Sequence, residues 1–355
     1  MKHLRKALVL AAGFGQRLHP LTEKCPKPLL PFMGVPILEI ILRRLAQAHF
    51  SHVAINTHYL SHRIETYIDA HPPKDLAVHL SFEPQILGTA GVFRPLSVWR
   101  EEEDILVHNA DVITDFPLEA CMSSIEKSTW ATMGLLAEAN PTEKNQIWIK
   151  GGNVEAIGQT APIGEMPIRS RQPGHDERDA AYTSHGFACI HTLSGKFLRE
   201  IEDSTNASII PYYQKALSED KKIHAAIPPL LFWADVGTPQ AYWHAHQHFF
   251  HLLETMPTHP WVQFIKETFT AFGFFLLYEE ERKGCFFHGY NVVHESVELR
   301  AGCIIGPRSV LAEDCTLCEG CFVERTILLP TVQVAPHSQL SRSIVAREAT
   351  FSFCI

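Results

Sequence analysis

Residues 8–32 read LVLAAGFGQRLHPLTEKCPKPLLPF, an aliphatic run that breaks on two glycines, an arginine and then a lysine set between prolines. An apolar run met directly by Gly13 predicts a short buried strand ending in a tight turn. Backbone N–H groups around such a turn can converge on an anion, and Arg17 and Lys27 add two cations. Arg17 offers a planar fork of donors to phosphate oxygens, and Pro26 and Pro28 are expected to hold the backbone around Lys27 extended. The stretch therefore predicts a phosphate site. It is not a Walker A loop, because no Gly-Lys-Ser/Thr follows. Nor does it fit a dinucleotide fingerprint: GFGQRL carries leucine where the third glycine belongs, and Glu39, the next acidic candidate, falls inside a predicted helix.

Outward from this stretch the first half of the chain alternates strand and helix. PILEIILRRLAQA (36–48) places Ile37, Leu38, Ile41, Leu42 and Leu45 on one helical stripe behind a proline suited to a first turn. HVAIN (52–56), AVHLSF (77–82), DILVHNAD (104–111) and ATMGLLA (131–137) are strand candidates, with helices expected at 61–70 and about 89–98. Such alternation predicts an α/β fold with a mostly parallel sheet. Ligands sit at the carboxyl ends of strands in these sheets, where Gly13 and Asp111 fall. The polar stretch 158–181 has turn formers, charge and no clear period. It reads either as a mobile loop over the site or as a solvated connector.

The 355 residues suffice for about two domains on the usual prior of ~150 residues each. With 46% hydrophobic and 20% charged residues and a net charge of −8, the chain is globular and has no global attraction to nucleic acid. The opening MKHLRKALVLAAG imitates a secretory leader, but it is short and lacks a small-residue cleavage site, so it reads as a strand. FTAFGFFLLY (269–278) is half the ~20 residues that a membrane span requires. Nine cysteines, an odd number not arranged as a secreted disulfide framework, suit a reducing cytoplasm. A soluble protein without membrane or nucleic-acid partners is expected.

From about residue 291 the texture becomes a hexapeptide repeat. Val293, Leu299, Ile305, Leu311, Leu317, Val323 and Leu329 recur every sixth residue, and after a one-residue slip the pattern resumes at Val334 and Leu340. This is the signature of a parallel β-helix in which each aliphatic side chain points into the core. The repeat also weighs against a cluster site in CTLCEGC. Cys303, Cys315 and Cys321 fall at the fifth place of their hexads, with Val297, Ser309 and Ile327, so they read as compact core residues. In WHAHQHFFH, His244, His248 and His251 share one helical face, but no H-E-x-x-H glutamate accompanies them, so a polar face is expected rather than zinc.

These residues together resemble the sugar-phosphate nucleotidyltransferases, or NDP-sugar pyrophosphorylases, whose signature is G-x-G-[TS]-R followed by P-K-P. Gly13, Gly15, Arg17, Pro26, Lys27 and Pro28 stand in that frame, with Gln16 departing from the usual hydroxyl residue. EPQILGTAG (83–91) resembles the family's base- and sugar-contacting loop, HNAD (108–111) its metal-binding turn, and FWADVGTP (232–239) its second metal-binding turn. The resemblance implies a Rossmann-like, mostly parallel nucleotidyltransferase domain over 1–250. A helical connector over 251–290 and a short left-handed parallel β-helix over 291–355 would follow.

By the same resemblance the nucleotide meets Leu10, Ala11, Ala12, Gly13, Gly15, Arg17, Lys27, Glu83, Gly88 and Thr89, and the sugar meets Asn109 and Gly186. Arg17 would grip the β- and γ-phosphates, Lys27 the α-phosphate, and Asp111 and Asp235 a Mg²⁺ ion. Many relatives place a Glu-Lys pair before the sugar-facing glycine; none precedes TSHGF (183–187), so the cation for the sugar phosphate is left to Lys150 or Arg171. The implied reaction joins a nucleoside triphosphate to a sugar 1-phosphate. GTP with mannose 1-phosphate is the first expectation, from an architecture like that of mannose-1-phosphate guanylyltransferases. This chemistry needs positioning and electrostatics and no protein nucleophile, in keeping with the absence of any nucleophile–base signature. A uridylyltransferase or other nucleotidyltransferase, a non-catalytic regulatory subunit, and an acyltransferase hosted by the repeat are the alternatives. Roughly ten hexads make only about three coils at ~18 residues each, which suits assembly, and a homo-oligomer is expected.

Overall fold

The computed structural model describes residues 5–100, 103–122, 128–139, 145–158, 182–201 and 208–353. The stretch expected as a loop or connector at 158–181 therefore lies, apart from Gly158, outside the described residues, as does Arg171. The chain divides into two compact units, Met1–Gly13 with Leu42–Trp233, and Phe14–Ile41 with Ala234–Ile355.

The first unit is built on a ten-stranded sheet. Lys6–Leu10 lies at its heart, parallel to His52–Thr57 on one side and to Ile105–Asn109 on the other. Ala77–Phe82 continues the parallel half beyond His52–Thr57. On the far side Phe187–Leu193 runs antiparallel to both Ile105–Asn109 and Thr129–Leu135. Lys222–Ala226, Asn153–Ile157, Ile147–Lys150 and Thr183–His185 complete a mixed sheet. The chain leaves Lys6–Leu10 toward one edge and returns on its other side, so this strand is the topological switch point, where open α/β sheets bind ligands.

The five strands expected in this half are present, and the expected helical stripe is buried at Ile37, Leu38, Ile41, Leu42 and Leu45. The helix expected over 89–98 is instead two short ones, Gly88–Gly91 and Ser97–Arg100. Pro95 lacks the N–H that a continuous helix would need.

In the second unit the helix Pro239–Thr255 is capped by the Thr238 hydroxyl, which accepts from Ala241 N, and Pro260–Ala271 by the ring of His259. Residues 31–36 form a small hairpin that docks on the first of these helices. The Met33 amide donates to His246 Nε2 at 3.1 Å, and the Tyr242 hydroxyl donates to Pro31 O. Gly34, at φ 89, turns this hairpin; a Cβ there would stand 2.2 Å from the Phe274 ring. These contacts explain why residues 14–41 and the helix from Pro239 group with the C-terminal segment, in place of the expected boundary at 250.

The connector expected over 251–290 is helical only to Ala271. From Phe274 the chain enters strands, and Cys285–Phe287 already pairs in parallel with Ile304–Ile305. Three ladders of short strands follow. Phe287, Ile305 and Val323 align across one, Val293 and Leu311 across another, and Leu299 and Leu317 across the third, each step covering 18 residues. The slip comes earlier than its expected place after Leu329: Leu311 pairs with Leu328, a step of 17, so Leu328 is the inward residue. Thr326 accordingly takes the fifth place expected for Ile327, its amide donating to Ser309 Oγ at 3.3 Å.

Cys303, Cys315 and Cys321 are core side chains as expected, with Cys285 joining them. Burial pushes the Cys315 thiol up to about 11. His244, His248 and His251 are exposed, and the described residues contain no group of three or more His, Cys, Asp or Glu side chains that could hold a metal. No described helix is long and apolar enough to cross a membrane.

Three buried imidazoles make the fold acid-sensitive. Burial lowers His108 and His246 to about 4 and His191 to about 3, from an ordinary 6.5. Because the folded values are depressed, the unfolded chain takes up protons first as pH falls through 6.5. Their stabilisation is full above that point and is lost toward pH 4, by about 1.4 kcal/mol per pH unit for each ring. Melting temperature should fall steadily between pH 6.5 and 4.5; a flat profile there would contradict this account.

Candidate functional site

In the first unit the site begins at the carboxyl ends of the two central strands. Leu10 lies opposite Asn109, and the Ala110 amide donates to Leu10 O at 3.0 Å, fastening the turn that carries Asp111 to the strand that leads to Gly13. Gly13 is exposed, and a Cβ there would meet nothing within 4 Å. The backbone is thus open at this point.

Ala11 and Ala12 are buried, and the Ala11 amide is already engaged: it donates to Asn56 Oδ1 at 2.8 Å. Asn56 Nδ2 donates to Glu83 Oε1 at 2.8 Å, and Glu83 Oε2 accepts from the Leu87 amide at 2.9 Å. Glu83 is 1% exposed. Glu83, expected among the nucleotide contacts, is occupied inside the protein in this structure. Its two oxygens are spent inside the protein, where a carboxylate demands such partners, and they brace the loop that bears Gly88 and Thr89. Thr89 Oγ1 in turn accepts from the Ile209 amide at 2.9 Å. Asn56, which carries this chain of bonds, was missed in the sequence; a polar residue closing the apolar run HVAIN was its signal.

Behind the Asp111 turn, burial holds the His108 ring neutral, with Nδ1 2.8 Å from Asn109 O. Arg44 is lowered to about 10 by burial, against the opposing charges of Asp115 and Glu119. Gly186 links two strands, its carbonyl accepting from Leu136 N at 2.8 Å. Lys150, one of the two candidate cations for the sugar phosphate, stands 5.2 Å over the Tyr182 ring.

In the second unit Gly15 adopts φ 66 and opens the single 3-10 turn Gln16–Leu18, where Arg17 is exposed. The Thr22 hydroxyl donates to Gly15 O at 2.8 Å and holds this bend. Lys27 was expected on an extended backbone between its prolines. It instead starts a 3-10 turn, closed by Leu29 N to Pro26 O at 2.8 Å and Leu30 N to Lys27 O at 3.1 Å, with Pro26 and Pro28 buried beside it. Lys27 Nζ lies 3.8 Å from Asp235 Oδ1. Arg17 joins them through a glycine that the sequence reading did not single out: a Cβ on Gly237 would stand 2.4 Å from Arg17 Nη2 and 2.9 Å from Asp235 Oδ1. Arg17, Lys27 and Asp235 therefore form one cluster of two cations and a carboxylate. Such a cluster can hold phosphate oxygens and contribute a hard oxygen ligand to a divalent cation.

Comparison with known proteins assigns these segments. Residues 6–147 match the family model described as Nucleotidyl transferase, and residues 287–352 that described as GMPPB C-terminal domain. A probable mannose-1-phosphate guanylyltransferase 3 of Oryza sativa subsp. japonica is 24% identical over 364 residues, spanning 97% of this chain and 87% of that protein. A mannose-1-phosphate guanyltransferase beta-B of Xenopus laevis is 39% identical over 120 residues, 32% of each chain. Among solved structures, HddC from Yersinia pseudotuberculosis complexed with GMP-PN aligns with TM-score 0.53 at 19% identity, covering 69% of this chain and 100% of that one. The inositol-1-phosphate CTP transferase from T. maritima aligns with TM-score 0.52 at 16% identity, covering 67% and 91%. These two likenesses describe the fold.

The Ala11–Asn56–Glu83–Leu87 chain is testable by itself. Asn56→Leu keeps the size of the side chain but leaves a buried amide and a carboxylate oxygen without partners, which should cost about 3 kcal/mol in urea unfolding. A loss under about 0.5 kcal/mol, the range of a neutral surface change, would show that these bonds do not brace the strand end.

Proposed function

We propose, starting from the match of residues 6–147 to the nucleotidyl transferase family model, that the chain transfers a guanylyl group from GTP to mannose 1-phosphate, releasing pyrophosphate and forming GDP-mannose. The observation that carries this reading is the near full-length match to a mannose-1-phosphate guanylyltransferase, spanning 97% of this chain. It is joined to a cluster of Arg17, Lys27 and Asp235 suited to phosphates.

The sugar's phosphate oxygen attacks the α-phosphorus, the bond from that phosphorus to the bridging oxygen breaks, and pyrophosphate departs with the electron pair. No side chain needs to become covalently attached. The protein's task is to hold two mutually repelling polyanions in line and to offset charge on the leaving group. Arg17 takes the β- and γ-phosphates and Lys27 the α-phosphate, where negative charge shifts during attack. The backbone at Ala12 and Gly13 meets the nucleotide, with Gly88 and Thr89 on the braced loop. Asn109 and Gly186 lie on the sugar side, and Lys150 is the described candidate for the sugar phosphate.

Asp111 and Asp235 would each offer a carboxylate to Mg²⁺, which would supply electrostatic stabilisation of the phosphates. Two carboxylates suit this ion, which takes its remaining ligands from phosphates and water. The three-ladder segment is read as a left-handed parallel β-helix that serves homo-oligomeric assembly. The eight described cysteines are free, which supports a cytoplasmic setting.

Pyrophosphate release from four nucleoside triphosphates against several sugar 1-phosphates should be greatest for GTP with mannose 1-phosphate. A preference for UTP or another pair would move the assignment within the family, and no release with any pair would favour the regulatory-subunit alternative. Lys27→Met should lower kcat by on the order of 10²-fold with little change in melting temperature. An unchanged kcat would remove Lys27 from the phosphate site. Asp111→Asn and Asp235→Asn should each abolish turnover at saturating Mg²⁺ while the fold persists.

A further inference from the structure

Asp115 follows the strand Val112–Thr114, four residues after Asp111, and the proposed reaction gives it no contact with either substrate. Its carboxylate accepts from two consecutive main-chain amides, Leu231 N to Oδ2 at 2.9 Å and Phe232 N to Oδ1 at 3.1 Å. Its own amide donates to Phe232 O at 3.0 Å, and the Thr114 hydroxyl donates to the same carbonyl at 2.9 Å. Both polar groups of the Phe232 main chain are therefore taken by Thr114 and Asp115. Arg44 holds this grip from behind, its guanidinium donating to Thr114 O at 2.6 Å and Phe116 O at 2.5 Å.

A carboxylate accepting from two successive amides fixes the orientation of the peptide as well as its distance, and charge makes these bonds stronger than neutral ones. Asp235 comes three residues after Phe232, at the end of the strand Trp233–Asp235. No loop intervenes to absorb a displacement. In an extended segment a slip of one residue sends every side chain to the opposite face.

We propose that Asp115 is a positioning residue for the nucleotidyl transfer. It sets the register of the segment 231–235 and thereby the direction in which Asp235 presents its carboxylate to the divalent cation. The inference rests on the reading of Asp235 as a Mg²⁺ ligand.

The test compares Asp115→Asn with Tyr213→Phe in the full chain. Tyr213 is a core residue whose hydroxyl pairs with His191, so its loss lowers stability without touching the 231–235 segment. Two readouts are taken beside melting temperature: the Mg²⁺ concentration giving half-maximal pyrophosphate release, and amide hydrogen exchange over residues 231–235. Asp115→Asn should raise the Mg²⁺ half-point about tenfold, with kcat largely restored at saturating metal, and should speed exchange over 231–235 at least tenfold. Tyr213→Phe should move neither. If Asp115→Asn lowered the melting temperature but kept the wild-type Mg²⁺ half-point, the residue would be structural only and the proposal would fall. Should wild-type protein release no pyrophosphate with any substrate pair, the functional reading would fail first. Exchange would then decide the clamp by itself, and unchanged rates over 231–235 would overturn it.

Discussion

A buried carboxylate must be surrounded by donors, and around Glu83 this requirement organises the site end of the central sheet. Glu83 takes an amide from its own loop and the side-chain amide of Asn56, which in turn takes the backbone amide of Ala11. Losing any link would strand a polar group where water does not reach, so the three segments keep one mutual arrangement. The segment that leads from the strand Lys6–Leu10 to Gly13 and the loop that bears Gly88 and Thr89 are placed by this constraint. Hydrophobic packing alone would permit them to shift against each other.

The same device recurs wherever a loop near a candidate functional residue must be held. Asp115 receives Leu231 and Phe232, and in the second unit His246 receives Met33 while Tyr242 reaches Pro31. In each case one interior side chain pairs with main-chain groups of a segment distant in sequence. Residues proposed to face the reactants, such as exposed Arg17 and half-buried Asp111, can then remain outside the core because other residues supply the rigidity. His246 illustrates how much the surroundings decide: its neighbours His244 and His248 on the same helix are exposed and solvated, whereas it is buried and held neutral.

The C-terminal segment relies on a simpler principle. Each inward place of the repeat admits a side chain of limited size, so aliphatic residues, cysteine and small polar groups alternate there with outward residues, among them the exposed apolar column Phe286, Ile304 and Phe322. A step of 18 residues brings like upon like, and Cys285, Cys303 and Cys321 come into one column. One residue is omitted between Val323 and Leu328, and the ladder accommodates it by shortening the turn. Core packing thus explains Cys285, Cys303, Cys315 and Cys321.

The sequence by itself determined whatever depends on local pattern. The aliphatic run before Gly13, the stripe from Ile37 to Leu45 and the six-residue period were legible because strand, helix and repeat each impose a spacing. The three motifs that contain Arg17 with Lys27, Asp111 and Asp235 were legible as a resemblance carried by residue type and order. Only the tertiary structure decided which polar residues stand inside. Asn56, Arg44 and Asp115 resemble ordinary surface residues in the sequence, and Glu83 resembled a ligand contact. Apart from the bond from Leu87 to Glu83, their roles depend on partners at separations of 27 to 117 residues, which local spacing does not encode. The grouping of residues 14–41 with the C-terminal unit was likewise a tertiary outcome, since Met33 and Gly34 reveal their purpose only beside His246 and Phe274.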